Sequence, residues 1–239
     1  MGKVLHFRGL SQGEDMDTHE SLIELHDISK VASIDIDAQN TFTPVCPDEL
    51  PVPEGNLIAD ELNKQARRAS LRIGSKDAHS PEAVWVATED KPQFSVVEGE
   101  PNVDIRWVKH AVPGTKGFEL IKGLPDVTEY DFFVWKGVEP NMHPYGSCYH
   151  DFAEKMSTGL IEFLNSKRIK TVIAGGLATD YCVKTTVLQL LNAGFDVIVN
   201  LGACRGIADD TVNQAIKEMK KAGARFVTTA QHIDVENLV

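Results

Sequence analysis

Cys182 lies in a segment that favours a nucleophilic thiol. The apolar, partly β-branched run at 171–174 predicts a short buried strand, and the two glycines that follow allow a sharp turn before an amphipathic helix beginning near Thr179. Cys182 would then occupy the first helical turn, where free backbone N–H groups and the helix dipole stabilise a thiolate or a developing oxyanion. Because most helical cysteines are small buried hydrophobic residues, catalysis also requires a base and a cation elsewhere in the chain.

Asp37 and Lys136 could supply that base and that cation, since each follows a predicted strand. Asp37 could accept the thiol proton and return it to a departing amine, while Lys136 would favour the thiolate and an anionic intermediate. The backbone N–H groups of Ala178 and Cys182 are then candidates for an oxyanion hole, worth roughly 3 kcal/mol per donor. A capping or turn-forming Asp and a solvated Lys are the ordinary alternatives for each residue alone.

Asp77, His79 and His110 could together bind a metal ion. Residues i and i+2 of an extended segment point to the same face, so Asp77 and His79 can reach one ion, and His110 would come from a later loop. Three protein ligands leave positions open for water or substrate, whereas a structural zinc site has four ligands. This ligand set accepts one divalent transition metal, Zn, Fe or Mn, and does not choose among them. Unrelated polar loop residues are the alternative.

The elements that must position these residues alternate between strands and helices, which predicts an α/β fold. The strands are predicted at 31–36, 71–74, 130–135, 171–174, 196–201 and 224–228, and the helices at 55–68, at 157–165, from residue 179 and at 209–222. This alternation favours right-handed crossovers and a doubly wound, mostly parallel sheet with helices on both faces. Ligands of such folds bind beyond the carboxyl ends of the strands, where the candidate residues lie.

Two segments do not fit this alternation. Residues 90–106 are rich in Pro, Gly and charge and predict a long loop that could form a lid. Residues 1–30 predict an N-terminal extension, with weak helical patterning at 22–28, before a single domain at 31–239.

Composition narrows the class of protein. A formal net charge of -11 argues against nucleic acid or an anionic membrane as a partner and is compatible with a small-molecule substrate. The four cysteines are scattered, without a CxxC pair, so reduced thiols are expected. Because no apolar signal-like segment opens the sequence, we expect a cytoplasmic protein, and homo-oligomerisation stays open.

The candidate residues lie in motifs that resemble, in order, those of the isochorismatase-like cysteine hydrolases. The matching segments are 37–42 (DAQNTF), 76–79 (KDAH), His110 with 114–119 (GTKGFE), 136–137 (KG) and 176–183 (GLATDYCV). The resemblance covers about residues 31–228. Because an Asp-x-His pair with a distal His is typical of the nicotinamidase (pyrazinamidase) branch, the chain resembles that branch in particular.

The resemblance implies a doubly wound fold with a six-stranded parallel sheet and hydrolysis of nicotinamide to nicotinate and ammonia through a thioester, a reaction of NAD salvage. It assigns Asp37 as base, Cys182 as nucleophile and Lys136 as stabilising cation, with a cis peptide before Ala178. A metal on Asp77, His79 and His110 would bind the pyridine nitrogen. Four residues are assigned to substrate binding: Phe42, Leu177, Tyr145 and Trp85.

The sequence departs from the family pattern at several positions. Ala78 and Ser80 stand where the family usually has Trp and Pro, so one large ring wall is missing. Either Trp85 replaces that wall or the pocket is wider and suits another amide. Two extra histidines, His143 and His150, are interpreted as surface loop residues, with a place near the metal as the alternative.

Two other functions compete with hydrolysis of nicotinamide. A related cysteine amidohydrolase acting on a different or larger amide is favoured by Ala78. A degenerate member retained as a binding or scaffold protein is disfavoured, because Asp37, Lys136 and Cys182 are all intact.

Overall fold

The structure is a computed structural model that describes residues 22–236. It contains eight strands in these residues: β1 (Ile23–Leu25), β2 (Val31–Ile36), β3 (Leu71–Asp77), β4 (Phe132–Lys136), β5 (Thr171–Leu177), β6 (Asp196–Arg205), β7 (Arg225–Val227) and β8 (Ile233–Val235). The α-helices are α1 (Ala59–Ala66), α2 (Leu160–Ser166), α3 (Lys184–Asn192) and α4 (Asp209–Lys221). None of the described helices is long and apolar enough to cross a bilayer.

Six of the strands form one sheet in the order β4-β3-β2-β5-β6-β7, and every neighbouring pair is parallel. The predicted fold class is therefore confirmed. The central strands β2 and β5 are buried along their whole length, as expected for a sheet covered on both faces. The register pairs Asp77 with Lys136 and Ile36 with Gly176, so the carboxyl ends of β2, β3, β4 and β5 meet at one edge.

Helices cover both faces of this sheet, as predicted. Helices α2, α3 and α4 bury Leu164, Val187 and Met219 in the largest apolar cluster, together with alternate residues of β2 and β5. Helix α1 buries Ala59 and Leu62 in a separate cluster. Because successive side chains of a strand point to opposite faces, the two clusters lie on opposite sides of the sheet.

Strand β5 is longer than predicted. Its last residues include glycines of low strand propensity, which is why the sequence pattern predicts an end at Ala174. In the structure, Gly176 still pairs with Ile36 and with Cys204, after a register shift against β6. Gly176 has a φ of +143°, and a Cβ on it would lie 2.0 Å from the carbonyl oxygen of Ile36. Only glycine permits β2 and β5 to approach this closely beside the site.

The helical prediction for 22–28 is wrong. Ile23–Leu25 is a strand that pairs in parallel with Ile233–Val235, and its buried side chains pack with Ile173 and Ile198 of the main sheet. Ile23 and Leu25 are two residues apart and face the core together, as in a strand, whereas the weak helical pattern came from the three-residue spacing of Leu22, Leu25 and Ile28. The domain boundary at residue 31 stays a prediction, and residues 1–21 lie outside the described residues.

The predicted long loop at 90–106 is held by apolar contacts. Trp85, Val97, Val103 and Trp107 are buried together in a small cluster. Single β-bridges join Val96 to Ile105 and Val86 to Trp107. This segment therefore carries its own packed core, which fixes the approach of His110 to the sheet edge.

Candidate active site

Asp37 is the first residue after β2, and the local backbone fixes its direction. Its φ of +46° lies in the left-handed region, which Asp tolerates better than most residues. Its N–H donates to the carbonyl oxygen of Ser75 at 3.2 Å, and its carboxylate accepts a 2.7 Å hydrogen bond from Ser75 Oγ. The Asp37 side chain is completely buried.

Lys136 ends β4 and brings the predicted groups together. Its Nζ lies 3.0 Å from Oδ2 of Asp37 and 3.7 Å from Sγ of Cys182, and it also bonds to Oδ1 of Asp77. A further hydrogen bond of 3.1 Å goes to the carbonyl oxygen of Pro144. The structure thus places the three residues predicted as base, cation and nucleophile within contact of one another, all buried.

The charge states of Asp37 and Asp77 depend on the ammonium group of Lys136. Burial opposes ionisation of Lys136, but Asp37 and Asp77 outweigh burial and raise the pKa of the lysine, so it stays protonated. Burial also opposes ionisation of Asp77, but Lys136 and His79 lower the pKa of this carboxyl. Burial raises the pKa of Asp37 despite the neighbouring lysine. Asp37 is therefore the carboxylate of the pair that accepts a proton more readily.

The Cys182 thiol differs from the sequence expectation, in which Lys136 and the helix end favour a thiolate. Burial raises the pKa of Cys182 well above its usual range, and Lys136 only partly offsets this because Asp37 and Asp77 add negative charge. The Asp37 carboxylate beside it also favours the protonated form of the thiol and so raises the pKa further. The resting group is a neutral thiol, and Asp37 is placed to take its proton as the nucleophile attacks.

Cys182 lies in a π-helical turn, Thr179–Val183, that leads directly into α3. The prediction that it occupies the first turn after β5 is confirmed. The N–H groups of Tyr181 and Val183 both donate to the carbonyl oxygen of Ala178 at 3.1 Å. The peptide bond between Leu177 and Ala178 is cis, as the family resemblance predicted.

A chain of buried hydroxyl groups supports Asp37, and the sequence reasoning missed it. Ser147 Oγ donates to Ser75 Oγ at 3.0 Å, and Thr186 Oγ1 on α3 donates to Ser147 Oγ at 3.2 Å. Ser75 and Asp77 are two residues apart on β3, so alternation along the strand was the available signal for Ser75. Ser147 and Thr186 come from distant segments, and no sequence pattern links them to Asp37.

His79 and His110 meet at the same edge, and their hydrogen bonds fix their tautomers. His79 Nδ1 donates to the carbonyl oxygen of Gly137 at 3.0 Å, and His110 Nδ1 donates to that of Val108 at 2.7 Å. Each ring therefore keeps an Nε2 lone pair, the arrangement typical of metal-bound histidine. Burial lowers the pKa of His110 to about 3, which keeps it in the neutral form that binds metals.

Asp77 links the histidines to the cluster of Asp37, Lys136 and Cys182. Its Oδ2 lies 3.5 Å from Nε2 of His79, while its other oxygen is held by Lys136. His79 Nε2 is buried and has no hydrogen-bond partner in the described part of the chain. An unsatisfied lone pair beside a carboxylate fits a cation, so Asp77, His79 and His110 suit the predicted divalent metal.

The interpretation of His143 as a surface loop residue is wrong. Its side chain is buried, and its ring stacks on that of His79 with centroids 4.8 Å apart. Ligand nitrogens of His79, His110 and His143 all lie within 4.8 Å of one another. These three residues are called the histidine cluster below. His143 comes from the loop after β4, a strand that ends at the same sheet edge as β3. The second extra histidine, His150, is half-buried and lies outside the cluster.

A cavity opens beside Cys182 and is lined by aromatic rings. The polar groups that reach it include Asp77, His110 and His143. The aromatic lining residues are Phe42, Trp107, Tyr145 and Tyr181. Phe42 and Tyr145 were predicted from the family resemblance. Trp107 was missed because it lies outside the recognised motifs, and Tyr181 because it stands between the signature residues of the 176–183 motif.

Two of the residues assigned to substrate binding do not line this cavity. Trp85 is fully buried behind the histidine cluster, with its ring 4.7 Å from that of His79 and its Nε1 donating to the carbonyl oxygen of Met142. Leu177 is buried next to Phe42 in the apolar cluster of α1. Of the two tryptophans near the histidine cluster, Trp107, just after the long loop, lines the cavity and Trp85 does not.

Comparison with known proteins assigns the family. An isochorismatase domain model matches residues 31–231, which is most of the chain. The chain belongs to the isochorismatase family. Its predicted resemblance to isochorismatase-like hydrolases is thereby confirmed. Within the family, the nicotinamidase of Escherichia coli (strain K12) is 32% identical over 206 residues, which cover 82% of this chain and 93% of the relative.

Solved structures agree with this family membership. A nicotinamidase/pyrazinamidase from Acinetobacter baumannii superposes with a TM-score of 0.77 at 26% identity, covering 85% of this chain and 97% of the other. The pyrazinamidase of Pyrococcus horikoshii, solved in complex with zinc, gives a TM-score of 0.66 at 29% identity and covers 83% and 98%. Members of the isochorismatase family thus share nearly the whole fold described above.

Proposed function

We propose that this protein is a metal-dependent nicotinamidase that converts nicotinamide to nicotinate and ammonia, a step of NAD salvage. The observation that carries the proposal is the contact of two groups of residues at one cavity. Asp37, Lys136 and Cys182 form a buried acid, ammonium and thiol unit, and His79 lies 3.5 Å from the Asp77 carboxylate that Lys136 also binds. Relatives that are named nicotinamidases and that match most of the chain support this assignment.

The residues fit a role for metal in substrate orientation. A divalent ion bound at Asp77, His79 and His110 would supply Lewis-acid attraction for the pyridine nitrogen. The aromatic rings of Phe42, Trp107 and Tyr181 around the cavity suit a flat heteroaromatic ring, which would place the carboxamide toward Cys182.

The first half of the proposed reaction acylates the thiol. As Cys182 Sγ bonds to the carboxamide carbon, the thiol proton passes to Asp37, and the negative charge develops on the carbonyl oxygen. The N–H groups of Ala178 and Cys182 stabilise that oxygen, and Lys136 balances the added charge. Asp37 then delivers the proton to the amide nitrogen, the C–N bond breaks, and ammonia leaves a nicotinoyl thioester.

The second half returns the enzyme to its resting state. Water attacks the thioester carbon while Asp37 accepts one of its protons, and the C–S bond of Cys182 then breaks. The proton returns from Asp37 to sulfur, and nicotinic acid departs and releases its carboxyl proton to solvent to give nicotinate. The raised pKa of Cys182 suits this step, because the thiol is restored as a neutral group.

Ammonia release from nicotinamide tests the proposal. The protein loaded separately with Zn, Fe or Mn is compared with Cys182→Ser, and benzamide serves as a substrate of the same size without the ring nitrogen. We expect turnover of nicotinamide, none by Cys182→Ser, and little turnover of benzamide. Cys46→Ser, a half-buried thiol outside the site, is the matched control and should retain activity.

Two outcomes would contradict the proposal in different ways. Equal turnover of benzamide and nicotinamide would remove the role of the ring nitrogen and leave a general cysteine amidohydrolase. No turnover of nicotinamide by any metal form, with hydrolysis of larger amides, would favour the alternative in which Ala78 marks a different substrate.

A further inference from the structure

The ring of His143 is fixed from several sides. Its backbone N–H donates to the carbonyl oxygen of Asn102 at 2.9 Å, and Trp85 Nε1 holds the preceding carbonyl, that of Met142, at 3.1 Å. His79 stacks on one face at an interplanar angle of 16°, and Trp107 is nearly parallel to it at 13°, with centroids 6.0 Å apart. Such packing pre-sets the ring orientation before any ligand arrives.

Both ring nitrogens of His143 are buried, and neither has a hydrogen-bond partner among residues 22–236. Leaving a buried polar group without a hydrogen-bond partner is unfavourable, so a ring with two such nitrogens, held rigidly, implies a missing partner. Nε2 of His79 is in the same condition, a few ångströms away. One ion could satisfy a nitrogen on each ring, whereas separate water molecules would need separate polar neighbours.

The spacing of the cluster suits an ion. Ligand nitrogens of His79, His110 and His143 lie within 4.8 Å of one another. With Zn–N bonds near 2 Å, nitrogens on a tetrahedral zinc lie about 3.3 Å apart. Small side-chain rotations therefore close the cluster around a metal. The carboxylate of Asp77, 3.5 Å from His79 Nε2, supplies the negative charge that three neutral imidazoles lack.

We infer that His143 is a fourth protein ligand of the metal, beside Asp77, His79 and His110. This inference rests on the proposed function only in taking the ion to be a divalent transition metal. Four protein ligands fill a tetrahedral ion completely, so an ion that also accepts a substrate nitrogen must be five- or six-coordinate. His143 would then select for metals that tolerate the higher coordination number.

Cobalt(II) binding tests this inference without any measurement of hydrolysis. We would titrate the metal-free protein and its His143→Ala variant with Co(II), using a competing chelator to obtain the dissociation constant. We expect the constant to rise at least about 100-fold in His143→Ala, since even the loss of outer-shell partners costs 10 to 100-fold. The d–d absorption should differ between the parent and the variant, because the variant has lost one imidazole ligand.

His150→Ala is the matched control, because this histidine lies on the same loop but outside the cluster. It should leave both the affinity and the spectrum unchanged. If His143→Ala fails to fold, X-ray absorption of zinc-loaded Cys182→Ala counts the imidazole ligands in a protein with His143 intact. Three imidazoles would support the inference. Two imidazoles, or unchanged cobalt binding by His143→Ala, would overturn it while leaving the proposed hydrolysis of nicotinamide untouched.

Discussion

Lys136 Nζ lies 3.7 Å from Cys182 Sγ, yet the thiol beside this ammonium is neutral at rest. Burial and the two neighbouring carboxylates raise its pKa, and Lys136 is shared with Asp37 and Asp77. In the proposed reaction, the cation therefore balances the charge that develops, and the nucleophile is generated only when Asp37 accepts the proton.

Asp37→Asn should separate thiol reactivity from hydrolysis. The substitution removes one of the two negative charges that raise the pKa of Cys182, so the pKa falls and alkylation by iodoacetamide at pH 7 becomes faster. Hydrolysis of the amide should fall at least about 100-fold, because the general base is lost. Rates of alkylation measured between pH 6 and 10 check the shift.

The alkylation experiment needs a background in which only the other thiols react. Cys182→Ala, alone and combined with Asp37→Asn, provides that background for Cys46, Cys148 and Cys204. Slower alkylation of Cys182 in Asp37→Asn than in the parent would mean that Asp37 promotes the thiolate even at rest, contrary to the charge balance described.

Ser75→Ala should move the acidic limb of the pH profile. The hydroxyl donates to Asp37 at 2.7 Å and lowers the pKa of that carboxyl, so its removal raises the pKa and protonates the base at higher pH. We expect kcat to fall about 10-fold near neutral pH with little change in KM, and the acidic limb to shift upward. Ser33→Ala, which truncates a buried serine on the neighbouring strand β2, is the control. An unmoved pH profile would make Ser75 merely structural.

Lys136→Met should destabilise the protein in a pH-dependent way. Removing one partner of a buried ion pair costs about 3 to 5 kcal/mol, and here it leaves Asp37 and Asp77 without their cation. In the parent, the lowered pKa of Asp77 gives stability that is present above the unfolded pKa and lost as the pH falls. In the variant, burial raises both carboxyl pKa values above the unfolded value, so stability rises as the pH falls from 8 to 5.

Urea unfolding of Lys136→Met at pH 5 and pH 8 measures that slope. Lys184→Met removes a partly exposed ion pair with Glu218 and should change the free energy of unfolding by about 1 kcal/mol or less at either pH. If Lys136→Met lowers the free energy of unfolding equally at both pH values, then packing, and not the unpaired carboxylates, accounts for the effect.

Gly137→Ala should weaken metal binding through His79. Gly137 has a φ of +72°, its carbonyl oxygen accepts from His79 Nδ1, and a Cβ on it would lie 2.4 Å from the His79 ring. We expect metal content after dialysis to fall, because the ring must move. Gly194→Ala imposes a similar backbone cost at a φ of +88° with no atom within 4 Å, so it should retain the metal. Equal metal loss in both variants would point to general destabilisation.

The grouping of the candidate catalytic residues was predictable because the fold itself brings them together. Asp37, Lys136 and Cys182 each follow a strand, and the carboxyl ends of neighbouring parallel strands meet at one edge. Recognising alternating strands and helices was therefore enough to place base, cation and nucleophile together. The pairing order of the strands did not need to be known.

Other parts of the site could not be predicted, and the reasons are physical. His143 and Trp107 reach the cavity from loops, whose paths depend on packing around Trp85 and not on any periodicity. The neutral state of Cys182 depends on how deeply the charges are buried, which residue types alone do not show. Strand propensity likewise predicted an end of β5 that was too early, because pairing with β2 keeps the glycines of β5 in the strand.

Asp77 spans both halves of the site, with one oxygen held by Lys136 and the other facing His79. Losing a histidine would leave the charge around the lysine unchanged, whereas losing this aspartate would upset it. In relatives that have lost metal binding, we would therefore expect the aspartate to be retained more often than the histidines. A lone aspartate beside such a lysine would then be the remnant of an ancestral metal site.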